Sequence, residues 1–281
     1  MQNKDLKFVF CGTPNIASKT LEILKENGYI PSLIITSPDK PQGRKMLITP
    51  PPTKTWAIEN KISYLQPEKL DEGFYNEISN INCDLFIVVA YGKILPEKLI
   101  NLPKLGSINI HYSLLPKYRG ASPIESAILN GDTQTGITIQ KMKFKMDSGP
   151  IIAKEIIEIQ PDEKAPDLRK RLIKIGGELL VKTLPNIIEN KIQLISQNEK
   201  EVSYCKKIKK EDGLINLSDN PIKNYNKFRA YTAWPRTFFF QNNKRIIITD
   251  AVLEDKKFVI KKVLPEGKKE INYKDFISSN S

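Results

Sequence analysis

Apolar residues recur along this chain in two rhythms. Residues 6–11 form a short apolar run closed by Gly12-Thr13-Pro14, the pattern of a buried strand entering a turn. Over residues 16–27 the apolar spacing lengthens to about 3.6 and stops at Gly28, which predicts a helix with a glycine end. Residues 30–36 read as a second strand. Residues 84–91 are apolar almost throughout, as expected of a strand in a parallel sheet covered on both faces. Residues 106–113, 135–142 and 150–159 are further predicted strands, and 121–130 is a predicted helix. A longer helix is expected over 167–188, where Leu168, Leu172, Ile175, Leu179, Val181, Leu184 and Ile188 fall close to one broad face. Strand and helix alternating over residues 6–130 predict an α/β domain.

Two stretches break this rhythm. Residues 37–56 hold five prolines around a basic centre and read as a long loop, and loops of this length in a compact domain are often functional. After about residue 193 the character changes. Residues 196–200 are polar and read as a linker. Beyond residue 203 come short β-rich runs at 237–240, 245–249 and 257–263 with no long helical pattern, which predict a small β-barrel or sandwich. Trp234 and Phe238 to Phe240 fit the core of that barrel better than a stacking surface.

Composition narrows the class. A chain of 281 residues can build one large domain or two ordinary ones. Its 40% hydrophobic content and mean hydropathy of −0.36 suit a soluble globular protein. Its apolar runs fall well short of the roughly 20 residues that cross a bilayer, and the first of them is too short for a signal-peptide core. No membrane association and a cytoplasmic location are therefore expected. Cys11, Cys83 and Cys205 lie far apart with no metal-ligand spacing, so free buried thiols and no metal site are expected. The net charge of +12 favours acidic partners, nucleic acid first, although a generally lysine-rich composition has the same effect. Its position sharpens the picture. From Lys200 to Ser281 there are 18 Lys and Arg against 10 Asp and Glu, which places +8 of the excess in under a third of the chain.

In open α/β sheets, ligands bind beyond the carboxyl ends of the strands. The predicted strand 106–113 ends in Asn109-Ile110-His111, and alternation puts Asn109 and His111 on one side. His111 is the only histidine in the chain. A lone histidine is more often a satisfied core or surface group, but Asn109 beside it and the turn-rich SLLPKYRGASP that follows (113–123) favour a site. Downstream, Asp147 stands on the turn of Lys145-Met146-Asp147-Ser148-Gly149-Pro150. By spacing alone, a turn residue bonding its own backbone explains Asp147 better than a catalyst does.

Asn109, His111, the segment SLLPKYRGASP and Asp147-Ser148-Gly149-Pro150 together resemble the core of the 10-formyltetrahydrofolate-dependent formyltransferases. Three further stretches resemble the branch of that family whose acceptor is methionine on initiator tRNA: FCGTPNIAS (10–18), SPDKPQGRKMLITPPPTK (37–54), and YCKKIKKEDGLINL (204–217) with RAYTAWPRTFF (229–239). The resemblance covers residues 6–240 and extends more weakly to the end. It implies a Rossmann-like formyltransferase domain followed by a small OB-like β-barrel. The expected division is a catalytic domain at 1–195, a linker at 196–203 and a shortened tRNA-binding barrel at 204–281. It also implies 10-formyltetrahydrofolate as formyl donor, initiator methionyl-tRNA as partner, no metal, and a monomer.

The roles the resemblance implies suit the chemistry. Attack of a neutral amine on a formyl carbon creates an oxyanion, for which Asn109 and a protonated His111 are donors. Asp147 would take the proton from the amine and hold His111 charged. Ser113, Leu114, Leu115 and Pro116 would line the folate site, with Tyr91-Gly92 bordering the pterin. Arg44 and Lys45 would meet the acceptor stem. A folate-dependent N-formyltransferase acting on an amino-sugar nucleotide shares the Asn, His, Asp and SLLP residues, but the basic proline-rich loop and basic C-terminal third argue against it. An RNA-binding protein on a dead enzyme scaffold would not need the intact triad. A dinucleotide oxidoreductase is disfavoured because Gly12-Thr13-Pro14 lacks the necessary glycine spacing. The chain departs from the family pattern at Ile16, Tyr112, Lys143 and Lys145, and it lacks an expected hairpin after residues 251–253. Tyr112, where a small residue is usual, is expected to narrow the mouth of the pocket.

Overall fold

The computed structural model describes residues 6–43 and 45–279. In chain order its elements are β1 (Phe8–Gly12), α1 (Asn15–Glu26), β2 (Leu33–Ile35), β3 (Lys40–Gln42), β4 (Leu47–Thr49), α2 (Pro52–Glu59), β5 (Tyr64–Leu65), α3 (Glu72–Ser79), β6 (Leu85–Val89), α4 (Glu97–Ile100), β7 (Ser107–His111), β8 (Arg119–Gly120), α5 (Pro123–Leu129), β9 (Gln134–Lys141), β10 (Ile151–Glu158) and α6 (Ala165–Ile188). After these come β11 (Tyr204–Cys205), α7 (Pro221–Ala230), β12 (Phe238–Gln241), β13 (Lys244–Glu254), β14 (Lys257–Pro265), β15 (Ile271–Asn272) and α8 (Tyr273–Ser278). The chain forms two compact units that interleave along the sequence. One takes the chain through Arg119 with Gly136–Ile156 and Arg171–Ser203; the other takes Gly120–Thr135, Ile157–Lys170 and the chain from Tyr204 onward.

The first unit is built on a seven-stranded sheet in the order β10-β9-β7-β6-β1-β2-β5. β1 and β6 are buried at every position, which is why they read as unbroken apolar runs. β5, β2, β1, β6 and β7 are parallel, and β9 runs antiparallel to β7. The core on one side of this sheet gathers Val9, Cys11, Phe86 and Val88 with Phe74 and Ile78 of α3 and with Leu95, Leu99 and Ile100 around α4.

Gly177 of α6 lies against α1, where a Cβ would fall 2.6 Å from the Ile23 Cδ1 atom. Next to it, Gly176 faces the ring of Tyr112. Tyr112 is buried, its hydroxyl 3.5 Å from Thr20 Oγ1, and burial pushes its phenol up to about 12. This corrects the expectation that it narrows a pocket mouth: strand alternation sends residue 112 to the face opposite His111.

The proline-rich stretch 37–56 is more ordered than a loop. β3 pairs antiparallel with β4 in a hairpin, and α2 begins at Pro52. Proline suits the first turn of a helix because its missing N–H would have no partner there. α2 then buries Trp56, whose Nε1 donates to Glu22 Oε2 at 2.6 Å, and Thr53, whose hydroxyl donates to the Gly12 carbonyl at 3.0 Å.

The second unit contains the antiparallel sheet β12-β13-β14-β15, the arrangement expected of a small β-barrel-like domain. β13 slips register around Asp250, a bulge that increases local twist. Asp255 and Lys256, both at positive φ, turn β13 directly into β14. Its core joins Tyr225 and Phe228 of α7 to Phe239, Ile246, Ile248 and Val263. Sequence periodicity missed α7 because much of its buried face is polar: Asn224, Asn226 and Arg229. Arg229 donates to Asn226 Oδ1 at 2.6 Å. The start of α7 is signalled by Asn220-Pro221, the Asn220 side chain accepting from the Ile222 and Lys223 amides. The aromatic run divides: Phe238 and Phe239 are buried, whereas Trp234 and Phe240 are 55% and 58% exposed. All three cysteines are free and buried. Among the described residues no helix is long and apolar enough to cross a membrane.

Gly136 of β9 lies where an added Cβ would sit 2.0 Å from the Glu155 carbonyl oxygen. Gly136→Ala is therefore expected to destabilise the protein by about 1–3 kcal/mol, read from the midpoint of denaturant unfolding.

Candidate active site

At the carboxyl end of β7, the pleat turns Asn109 and His111 to one face, with Asn109 half-buried and His111 buried. Asn109 pairs in register with Gln140 of β9, and His111 with Thr138, so β9 contributes two more polar side chains there. The chain then leaves β9 and returns through a turn, in which Ser148 Oγ donates to the Lys145 carbonyl at 2.8 Å. Asp147 takes a left-handed φ of 49° in this turn. Gly149 passes so close to β9 that a Cβ would lie 1.7 Å from the Lys141 carbonyl oxygen, a spacing only glycine allows.

The turn delivers the carboxylate to the strand end. Asp147 Oδ1 accepts from Gln140 Nε2 at 2.9 Å and from Asn109 Nδ2 at 3.4 Å, and it lies 3.6 Å from His111 Nδ1. Gln140 Oε1 in turn accepts from the Gly149 amide at 3.2 Å, which determines the end of the Gln140 amide facing the carboxylate. His111 Nε2 donates to the Tyr118 carbonyl at 2.8 Å; a carbonyl can only accept, so Nε2 carries a proton. Nδ1 therefore faces the carboxylate, and a proton there makes the ring an imidazolium paired with Asp147. The three groups expected from the sequence meet, and all belong to the first compact unit.

The segment after His111 is tied down by Thr138. Its hydroxyl donates to the Ser113 carbonyl at 2.7 Å and accepts from the Leu115 amide at 3.1 Å. Ser113 Oγ donates to the Lys117 carbonyl at 2.6 Å. Ser113, Leu115 and Pro116 are buried, so of these four residues only Leu114 keeps a partly open side chain. On the neighbouring strand, positive φ at Ala90 and Gly92 turns the chain after β6 and leaves Ile94 exposed. Tyr91 is buried, its hydroxyl has no partner among the described residues, and burial raises its phenol pKa. Lys45 is exposed at the β3–β4 hairpin beside exposed Met46, Leu47 and Ile48; Arg44 lies outside the described residues. Among the described residues no cluster of three or more His, Cys, Asp or Glu could hold a metal ion.

Sequence reasoning missed Gln140, Thr138 and the Tyr118 carbonyl. The first two become legible only through the pairing of β7 with β9, because each is the register partner of a residue that the sequence did single out.

The family model described as formyl transferase matches residues 6–184, and the model described as formyl transferase, C-terminal domain, matches residues 207–258. The chain is 39% identical over 246 residues to the methionyl-tRNA formyltransferase of Caldicellulosiruptor saccharolyticus, covering 86% of this chain and 78% of that protein. It is 35% identical to the Staphylococcus epidermidis methionyl-tRNA formyltransferase, over 97% of this chain and 96% of that one. Among solved structures, it resembles the N-formyltransferase of Helicobacter canadensis, solved in complex with folinic acid and dTDP-3-aminofucose. That likeness has a TM-score of 0.66 at 22% identity over 89% of both chains, and at this identity it speaks to the fold alone.

Thr138→Val removes a hydroxyl that satisfies two backbone groups near His111. A loss of about 1–3 kcal/mol in unfolding free energy is expected, because the Leu115 amide would remain buried without its acceptor; chemical denaturation checks it.

Proposed function

The chain belongs to the formyl transferase family, and on that premise we propose that it moves a formyl group from 10-formyltetrahydrofolate onto the α-amino group of methionine carried by initiator tRNA. It is an enzyme of one-carbon group transfer serving translation initiation. The observation that carries the assignment of chemistry is the meeting of Asn109, His111 and Asp147 around a single carboxylate oxygen. Relatives at 35% and 39% identity across most of the chain are methionyl-tRNA formyltransferases, which favours tRNA over the sugar acceptor of the more distant structural neighbour.

The formyl donor supplies the carbon and oxygen that the amine attacks. Asn109 Nδ2 and a protonated His111 Nδ1 lie 3.4 and 3.6 Å from the same oxygen of Asp147, so a carbonyl oxygen seated beside that point is within reach of both donors. They stabilise the negative charge that develops on the formyl oxygen; removing one such donor typically costs roughly 3–4 kcal/mol of barrier. Asp147 receives the proton released by the attacking nitrogen, directly or through one water, and can return it to the folate nitrogen that departs when its bond to the formyl carbon breaks. The Nε2 bond to Tyr118 holds the ring in the orientation this requires. Of the residues assigned to the folate, Leu114 offers its partly open side chain while buried Ser113, Leu115 and Pro116 shape the wall behind it, and Gly92 with exposed Ile94, backed by buried Tyr91, offers an edge to the ring. These features suit a flat, partly apolar ligand with polar edges.

Arg44 and Lys45 contact the acceptor stem, and the basic C-terminal third grips the phosphate backbone, giving salt-dependent affinity. The domain division that fits this reading is residues 1–195 for catalysis, 196–203 as linker and 204–281 for tRNA. The family matches at 6–184 and 207–258 support it by leaving 185–206 between them. We infer a monomer in the cytoplasm, where both substrates are available.

Asp147→Asn and His111→Ala are each expected to lower kcat by at least about a hundredfold while tRNA binding, measured by filter retention, survives. Turnover near the parent rate in either variant would remove that residue from the mechanism. Arg44→Ala is expected to raise KM for methionyl-tRNA more than KM for the formyl donor, and to reduce the slope of log affinity against log salt by about 1. An unchanged tRNA KM would count against Arg44 as a contact.

A further inference from the structure

Residues 195–203 carry none of the reacting groups, yet they hydrogen-bond to both arms of the site. Ile195 makes a two-way backbone bridge with Ile151, at 2.7 and 2.9 Å, just after the Asp147 turn. Gln197 Nε2 donates to the carbonyls of Asp147 and Gly149 at 2.8 and 2.7 Å. Gln197 Oε1 accepts from Arg119 Nε and Nη2 at 3.0 and 2.7 Å. Arg119 Nη2 also donates to Glu199 Oε1 at 2.7 Å. At the far end of the segment, Ser203 accepts from the Tyr118 amide through Oγ and from the Arg119 amide through its carbonyl, each at 2.9 Å. Tyr118 is the residue whose carbonyl holds His111.

The amide of Gln197 has only one orientation that satisfies these partners. Arg119 can only donate, so Oε1 must face it and the NH2 must face the two carbonyls. Arg119 is 0% exposed, and a buried guanidinium is tolerated only where its donors are taken up, as they are here by Gln197 and Glu199. Gln197 grips the carbonyl of Asp147, the residue held at φ 49°, and that of Gly149 two positions on; a left-handed conformation costs energy in a residue other than glycine and persists only where its surroundings enforce it.

We propose that Gln197 is a positioning residue for formyl transfer, holding the backbone of the Asp147 turn so that the carboxylate stays beside His111, with its own amide oriented by Arg119. This deepens the functional reading above and rests on its assignment of Asp147 and His111. Gln197 touches no reacting atom. Its effect is confined to where the carboxylate stands, and a displacement of about 1 Å in such a group can cost on the order of a hundredfold in rate.

The test is Gln197→Glu in the full-length enzyme. The carboxylate still accepts from Arg119 but cannot donate to the two carbonyls and repels them. Expected are a kcat lower by about tenfold to a hundredfold, KM values for formyl donor and methionyl-tRNA each within about threefold of the parent, and a displaced pH profile of kcat. Glu199→Gln keeps an acceptor for Arg119 and should remain close to the parent. Should the glutamate variant not fold, Gln197→Met, which loses the same donors without adding charge, is read by the same criteria. A kcat per folded molecule within about twofold of the parent, with an unmoved pH profile, overturns the proposal. If Asp147→Asn is inactive in the same assay, only the positioning role fails; if it turns over normally, the underlying assignment fails as well.

Discussion

A slip of one residue in the pairing of β7 with β9 would send the whole polar set at the strand end to the other face. The register Asn109↔Gln140 and His111↔Thr138 is therefore the constraint on which this site depends. It aligns four polar side chains on one face and starts the return of the chain from a known point, so that the turn after β9 can place Asp147 within reach of Asn109, Gln140 and His111. The buried apolar residues interleaved with them, Ile108 and Ile110 on β7 with Ile137 and Ile139 on β9, hold that register, because a slip would expose them.

The carboxylate itself is delivered by backbone that the chain would not adopt unaided. A left-handed aspartate and a glycine pressed against a carbonyl are locally unfavourable, and the compensation comes from hydrogen bonds at each step. Gln140 bridges the Gly149 amide to the Asp147 carboxylate, and Gln197 holds the carbonyls of Asp147 and Gly149. The result is a carboxylate whose position depends on three separate stretches of chain: β7, β9 and the segment that follows α6. Preorganisation of this kind is what electrostatic catalysis requires, since donors and acceptors in place before the reaction need not reorganise during it.

The charge of the molecule is arranged differently from its chemistry. The groups we propose to react are few and buried or half-buried, whereas the lysines that dominate the C-terminal third are mostly exposed, where long-range attraction to a polyanion can act. Affinity for a large acidic substrate and the bond-making step can thus be supplied by different residues, so that salt weakens the first more than the second.

Much of this was legible in the chain by itself. Unbroken apolar runs identified β1 and β6 because strands buried on both faces have no polar positions, and the 3.6-residue spacing identified α1 and α6 because each buries one stripe. Alternation placed Asn109 and His111 on one side of a strand, a consequence of local geometry alone. Other features needed the folded molecule. Helix α7 was hidden because its buried face carries Asn224, Asn226 and Arg229, which hydrogen-bond to one another and to backbone carbonyls and so break the apolar periodicity. Tyr112 was misplaced because alternation puts it opposite His111 but only the folded molecule shows that face to be buried, with Thr20 of α1 and Gly176 of α6 against the ring. The role of Asp147 could not be chosen from spacing, since a turn aspartate bonding its own backbone and a catalytic carboxylate look the same in one dimension. What brings that carboxylate beside His111 is nonlocal: the pairing of β7 with β9 sets where the turn starts, and this is not encoded in the residues around Asp147.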